Sequence, residues 1–308
     1  PGRRHSMTTP ALRFDSVTKN YGRTEVLHGV SFEIGRGDFF GLVGINGAGK
    51  TTLLKCLLDF CAFNGGRIEI FGVAHDAPGA RSRLAFLPER LNPPYYLTGE
   101  DFIRYTLDMQ AAPYDRGEAE RMMRALDLDI AALTRPVRTY SKGMTQKIGI
   151  AASLLSAKDL FIFDEPTSGL DPKARALFKQ QLHELKRQAR TVLFTSHALA
   201  DVAEVCDKMA VMHAGELRFC GTPRALIEQL EQLPVDRIDL LAQHRKFGIG
   251  RDRPEARHHA PQPQEEQERR GAHRLGRVLQ QPVEERQLRR AVEEGDRAAP
   301  GDRKSTRL

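Results

Sequence analysis

The chain has 308 residues, a formal net charge of +7 and four cysteines. That length is ample for a buried core, and Cys56, Cys61, Cys206 and Cys220 have neither the spacing of a secreted disulfide framework nor that of a paired-CxxC zinc site. Apolar runs stop far short of the roughly 18 to 20 residues that cross a bilayer, and no hydrophobic segment follows the first six residues, so a soluble, intracellular chain is expected.

In chain order, Leu12-Phe14, Val30-Phe32-Ile34 and Ile68-Ile70 alternate with period two and predict strands with one covered face. Phe39 to Val43, Leu160 to Phe163, Val192 to Thr195 and Met209 to Met212 are continuous apolar runs, as expected of parallel strands covered on both faces. Leu53, Leu54, Leu57 and Leu58 follow helical spacing. Asp171-Pro172 gives an N-cap and a first-turn proline, after which Ala174, Phe178, Leu182 and Leu185 share one helix face. Thr222-Pro223 starts another helix in the same way. Strands alternating with helices predict an α/β fold with a mostly parallel sheet, and the helix-rich stretch from about 88 to 156 reads as an inserted subdomain.

Composition shifts near Pro234. From Asp236 to Leu308 there are 17 Lys+Arg against 13 Asp+Glu, with only 12 residues of Leu, Ile, Val or Phe, too few to build a core. The first 235 residues carry 30 basic against 27 acidic side chains, so the body is nearly neutral and no nucleic-acid partner is expected. The chain therefore divides into a disordered N-terminal extension over 1–9, with Met7 read as the start, a folded body over 10–233 and a disordered tail over 234–308.

Gly44-Ile45-Asn46-Gly47-Ala48-Gly49-Lys50-Thr51-Thr52 fits G-x-x-x-x-G-K-[ST] between a predicted strand and a predicted helix. Its glycines let backbone N–H groups converge on phosphate oxygens. Lys50 offers a cation to the β- and γ-phosphates and Thr51 a hydroxyl to Mg²⁺. The helix N-terminus adds its dipole. Asp164-Glu165 closes the apolar run Leu160–Phe163: Asp164 suits the metal and Glu165 suits a general base on water. Without the phosphate loop, such a carboxylate pair is more often a solvated strand end.

Between these motifs lies Tyr140-Ser141-Lys142-Gly143-Met144, and after them come Ser168-Gly169-Leu170-Asp171 and Thr195-Ser196-His197. The ordering resembles the nucleotide-binding subunit of ATP-binding cassette (ABC) transporters over about residues 10 to 233. The resemblance implies a P-loop NTPase core with a mostly parallel sheet, a small antiparallel β subdomain and the helical insert. It also implies an ATP-hydrolysing subunit that powers transport through ATP-driven dimerisation, with Mg²⁺ as cofactor. Tyr21 then corresponds to an adenine-stacking aromatic, His197 to the histidine that hydrogen-bonds the γ-phosphate and the attacking water, and Asp171 to the D-loop. Ser141, Lys142, Gly143 and Met144 form the signature that binds the ATP of the opposite subunit. Glu89, in Phe86-Leu87-Pro88-Glu89, occupies the Q-loop position as a further metal-side carboxylate.

Two departures stand out. The signature reads Tyr-Ser-Lys-Gly-Met rather than Leu-Ser-Gly-Gly-Gln, and Glu89 stands where glutamine is commonest. Both resemble a bacterial exporter-type subgroup whose multi-span membrane permease is encoded separately. The implied partners are that permease and a second copy or a related ATP-binding subunit, at the cytoplasmic face of the bacterial inner membrane. Tyr95 and Tyr96, beside Pro93-Pro94, would suit an anchor for a partner helix or would pack within the insert. Two other classes fit less well. A soluble ABC protein acting on ribosomes would carry two cassettes, and one acting on chromosomes would place coiled coils between Lys50 and Asp164, where 113 residues without heptads intervene. A non-catalytic nucleotide-gated regulator would not need Lys50, Asp164, Glu165 and His197 together.

Overall fold

The computed structural model describes residues 9 to 231. The expected extension before Thr9 and the tail over 234–308 lie outside the described residues.

The chain begins with β1 (Leu12–Tyr21) and β2 (Thr24–Ile34), an antiparallel pair. The short strand expected at Leu12-Phe14 is in fact ten residues long. Ser16 takes a left-handed φ of 50° and the register shifts between Phe14 and Val17, so the bulge breaks the alternation beyond Phe14. Next come β3 (Phe39–Val43) and α1 (Lys50–Leu57), then β4 (Gly65–Ile70), β5 (Val73–Ala74) and β6 (Leu84–Leu87). Strands β2, β1, β4 and β5, in that order, make a small antiparallel sheet.

After β6 the chain leaves the strands for α2 (Gly99–Met109), α3 (Arg116–Ala125) and α4 (Lys142–Leu155). These helices enclose a core of their own, built on Phe102, Ile103, Leu107, Met123, Leu133 and Ile148. Thr98 and Asp101 close α2 with reciprocal side-chain bonds to each other's backbone N–H. The chain returns through β7 (Leu160–Phe163), α5 (Pro172–Arg187), β8 (Thr191–Ser196), α6 (Leu199–Val205), β9 (Lys208–His213), β10 (Glu216–Gly221) and α7 (Pro223–Glu231). Asp171 caps α5 through the Ala174 amide at 2.8 Å, with Pro172 in the first turn. Thr222 caps α7 through the Ala225 amide at 3.1 Å.

The second sheet has the order β10-β9-β3-β8-β7-β6; its pairs from β9 to β6 are parallel and β10 is an antiparallel edge. Its inner strands are buried on both faces, which is why they read as unbroken apolar runs. Successive residues serve opposite layers. Phe40, Leu160 and Ile162 join α1 and the antiparallel sheet, where Phe14, Phe32 and Phe40 stack at 4.6 and 5.3 Å between centroids. Phe39, Phe161, Phe163 and Phe194 face α5 and α6, where Phe163 meets Phe178 edge-on at 5.5 Å. The fold is therefore the expected α/β arrangement, with a parallel sheet and a small antiparallel sheet. All the parallel strands end toward the loops that carry the candidate chemistry.

Candidate nucleotide site

A cavity of about 450 Å³ opens where β3, β6, β7 and β8 end. Asn46, Gly47, Ala48, Gly49, Lys50, Thr51 and Thr52 line it together with Glu89, Arg90, Glu165, Ser168 and His197. The motifs account for most of these; Arg90 and Val26 join them in space.

The loop between β3 and α1 adopts its shape because Gly49 enters the helix at φ 102°, a conformation other residues avoid. A neighbouring turn secures it: the Gly215 amide donates to the Ala48 carbonyl at 3.1 Å, and the Gly215 carbonyl accepts from the His28 amide at 3.0 Å. Lys50 is buried to 6% exposure; its ammonium donates to the Gly44 carbonyl and lies 3.4 Å from Glu165 Oε1. Among the described residues the amides of Lys50, Thr51 and Thr52 open α1 without a backbone acceptor, whereas the Leu53 amide already donates to the Gly49 carbonyl; with the buried Lys50 ammonium these three make an anion-binding arrangement.

The carboxylates sit at the end of β7. Asp164 is 3% exposed. Burial, then the charges of Glu165 and Glu89, raise its pKa above the usual aspartate value, partly opposed by a bond from the Thr195 hydroxyl to Oδ1 at 2.6 Å and by Lys50. Asp164 Oδ2 lies 3.5 Å from Thr51 Oγ1. Glu165 adopts a left-handed φ of 48°, and its amide donates to Thr195 Oγ1 at 2.9 Å. Such a backbone costs on the order of 1 to 3 kcal/mol for a non-glycine residue, a cost tolerated where it aims a side chain. Here it turns Glu165 from the strand into the cavity. Oε2 lies 2.9 Å from His197 Nδ1, and buried Oε1 has no hydrogen-bond partner among the described residues. Thr195 was noted only as part of the His197 motif. The sequence sign of its own role is a hydroxyl at the end of an apolar strand.

Other expected site residues lie outside the cavity. Tyr21 is 47% exposed, with the Lys19 ammonium 4.6 Å over its ring and its hydroxyl 3.8 Å from Cys61 Sγ. Ser141 caps α4 by accepting from the Met144 amide at 3.2 Å, which leaves its O–H free to donate. Lys142 packs along Gly169, and Gly143 approaches the Gly169 carbonyl. Gln146, buried in α4, donates to the Pro166 carbonyl at 3.1 Å. Lys142 and Gly143 therefore lie against Gly169 in the loop between Glu165 and Asp171, and Ser141, Lys142, Gly143 and Met144 are not among the residues lining the cavity. Tyr95 and Tyr96 are 68% and 69% exposed and meet edge-on at 5.5 Å, so the alternative of packing within the insert does not hold.

The family model for the ABC transporter matches residues 27–168. The "Nod factor export ATP-binding protein I" of Paraburkholderia xenovorans is 34% identical over 225 residues, covering 72% of this chain and 74% of that protein. The chain belongs to the ABC transporter ATP-binding proteins. An uncharacterized ABC transporter ATP-binding protein of Synechocystis sp. is 37% identical over 207 residues, 65% of this chain. The chain spans only 57% of that relative's length. Among solved structures, the ATP-binding subunit of an ABC transporter is similar with a TM-score of 0.67 at 29% identity, over 75% of this chain and 98% of the other. The family's members are ATPases. Among the described residues no helix is long and apolar enough to cross a membrane.

Proposed function

We propose that the chain binds and hydrolyses ATP to power an ABC transporter, an exporter, by pairing with a second nucleotide-binding domain. The observation that carries this reading is the convergence of Lys50, Asp164, Glu165 and His197 on the phosphate loop. The export direction draws support from the name of the Paraburkholderia relative.

The geometry supports the following roles. The α1 amides and Lys50 bind the β- and γ-phosphates. Glu165 accepts the proton of the attacking water through its carboxylate, and His197 fixes the Oε2 side of that carboxylate through Nδ1–H beside the γ-phosphate. Thr195 positions both carboxylates at once. Mg²⁺ fits the donors present: the Thr51 hydroxyl and Asp164 lie together and Glu89 lines the same cavity. Among the described residues no group of three or more His, Cys, Asp or Glu could hold a metal unaided. That suits an ion that keeps waters and takes phosphate oxygens as ligands. When bound, Mg²⁺ neutralises charge on the phosphates.

Ser141 and Gly143, displaced from this cavity, complete the site of a second subunit, and Tyr21 stacks on adenine. Asp171 caps the helix that follows the loop carrying the signature contacts. The partner is a multi-span permease, which holds the chain peripherally at the cytoplasmic face of the bacterial inner membrane. We also propose residues 10–233 as the ATP-binding domain, with 234–308 as an appendage. The decisive test is Lys50→Ala. Mg-ATP binding or turnover should collapse while the melting curve stays cooperative, and unchanged activity in the folded variant would remove the assignment.

A further inference from the structure

We propose that Arg90 is a second phosphate-binding cation of this site, directed at the terminal phosphate of the nucleotide and offsetting the charge that Glu89 adds. The proposal rests on the nucleotide-site reading above.

Charge balance leads to it. Three carboxylates belong to the cavity region: Glu89 and Glu165 in its wall and Asp164 behind Thr51. Lys50 is already opposed by Glu165 at 3.4 Å. Glu89 lines the same cavity as Lys50 and Glu165. A triphosphate entering such a wall meets an extra negative charge, which weakens binding unless a cation answers it. Arg90 is the adjacent residue and lines the same cavity. Among the described residues its guanidinium has neither a carboxylate within 4.0 Å nor a side-chain hydrogen bond, whereas nearby Arg83 and Arg104 are both paired. The planar fork of arginine matches phosphate oxygens two at a time.

The segment that carries Arg90 is held at both ends. Before it, the Asp164 amide donates to the Leu87 carbonyl at 2.9 Å, which joins the end of β6 to the metal-side carboxylate. After it, Leu91 packs into a notch of α4: a Cβ on Gly149 would lie 2.3 Å from Leu91 Cδ2 and 2.8 Å from Leu87 Cδ1. Glu89 and Arg90 therefore stand between two anchored leucines and line the same cavity as Glu165 and His197.

The test uses the full chain with Mg-ATP and Mg-ADP, measuring Kd for each together with KM and kcat. Arg90→Gln should weaken ATP about ten- to hundred-fold, ADP by much less, and leave the melting temperature unchanged, as expected for an exposed side chain. Arg90→Lys should recover part of the affinity. An unchanged ATP Kd in Arg90→Gln, alongside lost binding in Lys50→Ala, would overturn the proposal and leave the site reading intact. Equal weakening of ADP would overturn the assignment to the terminal phosphate. If Lys50→Ala also binds normally, the site reading itself fails, and this inference with it.

Discussion

Thr195 links the two carboxylates of the site: its hydroxyl gives its proton to Asp164 Oδ1 at 2.6 Å and receives the Glu165 amide at 2.9 Å. It is fully buried, so no water replaces it. Thr195→Val keeps the shape and leaves a buried N–H without a partner, which costs about 1 to 3 kcal/mol. The melting temperature should fall, turnover should fall further because Glu165 loses its fixed backbone, and Thr195→Ser should restore both. Equal activity in the valine variant would show that Glu165 is held by other means.

Asp164 gives a pH prediction of unusual sign. Burial raises its native pKa above the ordinary 3.8, so the folded state holds the proton more tightly than the unfolded state. Its destabilising contribution is absent below the ordinary value, grows as pH rises through the raised value, and is complete above it. Asp164→Asn should therefore raise the melting temperature at neutral pH, and the gain should vanish toward pH 3 to 4 while turnover is lost. A gain that persists in acid would assign it to something other than charge.

Glu165→Gln separates base from binder. The phosphate loop and Lys50 remain, so ATP should still bind, while turnover falls by about 10² to 10⁴-fold. With hydrolysis blocked, the variant should accumulate as an ATP-dependent dimer in light scattering. Adding Ser141→Arg should return it to monomer. A Glu165→Gln chain that stays monomeric at saturating Mg-ATP would refute pairing through Ser141 in the chain by itself.

Gly215 and Gly22 offer a matched comparison. Both have positive φ, 79° and 59°. A Cβ on Gly22 meets nothing, whereas one on Gly215 would lie 2.3 Å from the Val26 carbonyl oxygen. Gly22→Ala should cost only the left-handed backbone, about 1 to 2 kcal/mol. Gly215→Ala should cost distinctly more and also weaken ATP, because the turn holds the Ala48 carbonyl. Equal melting temperatures for the two variants would show that the turn gives way without disturbing the phosphate loop.

What was legible in the sequence was whatever depends on local spacing. The strand runs from Phe39, Leu160 and Val192 and the Asp171-Pro172 cap lie where the pattern put them, because burial on both faces and capping chemistry are written in consecutive residues. The phosphate loop and Asp164-Glu165 were legible as motifs, and the structure brings them into one cavity. What escaped depends on contacts across the chain or on backbone angles. The bulge at Ser16, the positive φ of Glu165, the bridging of Thr195 and the approach of Arg90 have no periodic trace. Arg90 belongs to no motif, and only the pairing of β6 with β7 brings its segment beside Asp164 and Glu165.

The adjacency of β6 and β7 has a mechanical consequence. The whole excursion through α2, α3 and α4 departs from one strand and returns to its immediate neighbour. It is not held by its ends alone: Gln146 donates to the Pro166 carbonyl, and Ile150, Ala151 and Leu154 of α4 share an apolar layer with α5. A tilt of the insert would therefore spread over the Leu87–Asp164 junction, the Pro166 loop and α5 together, rather than stay at the hinge ends.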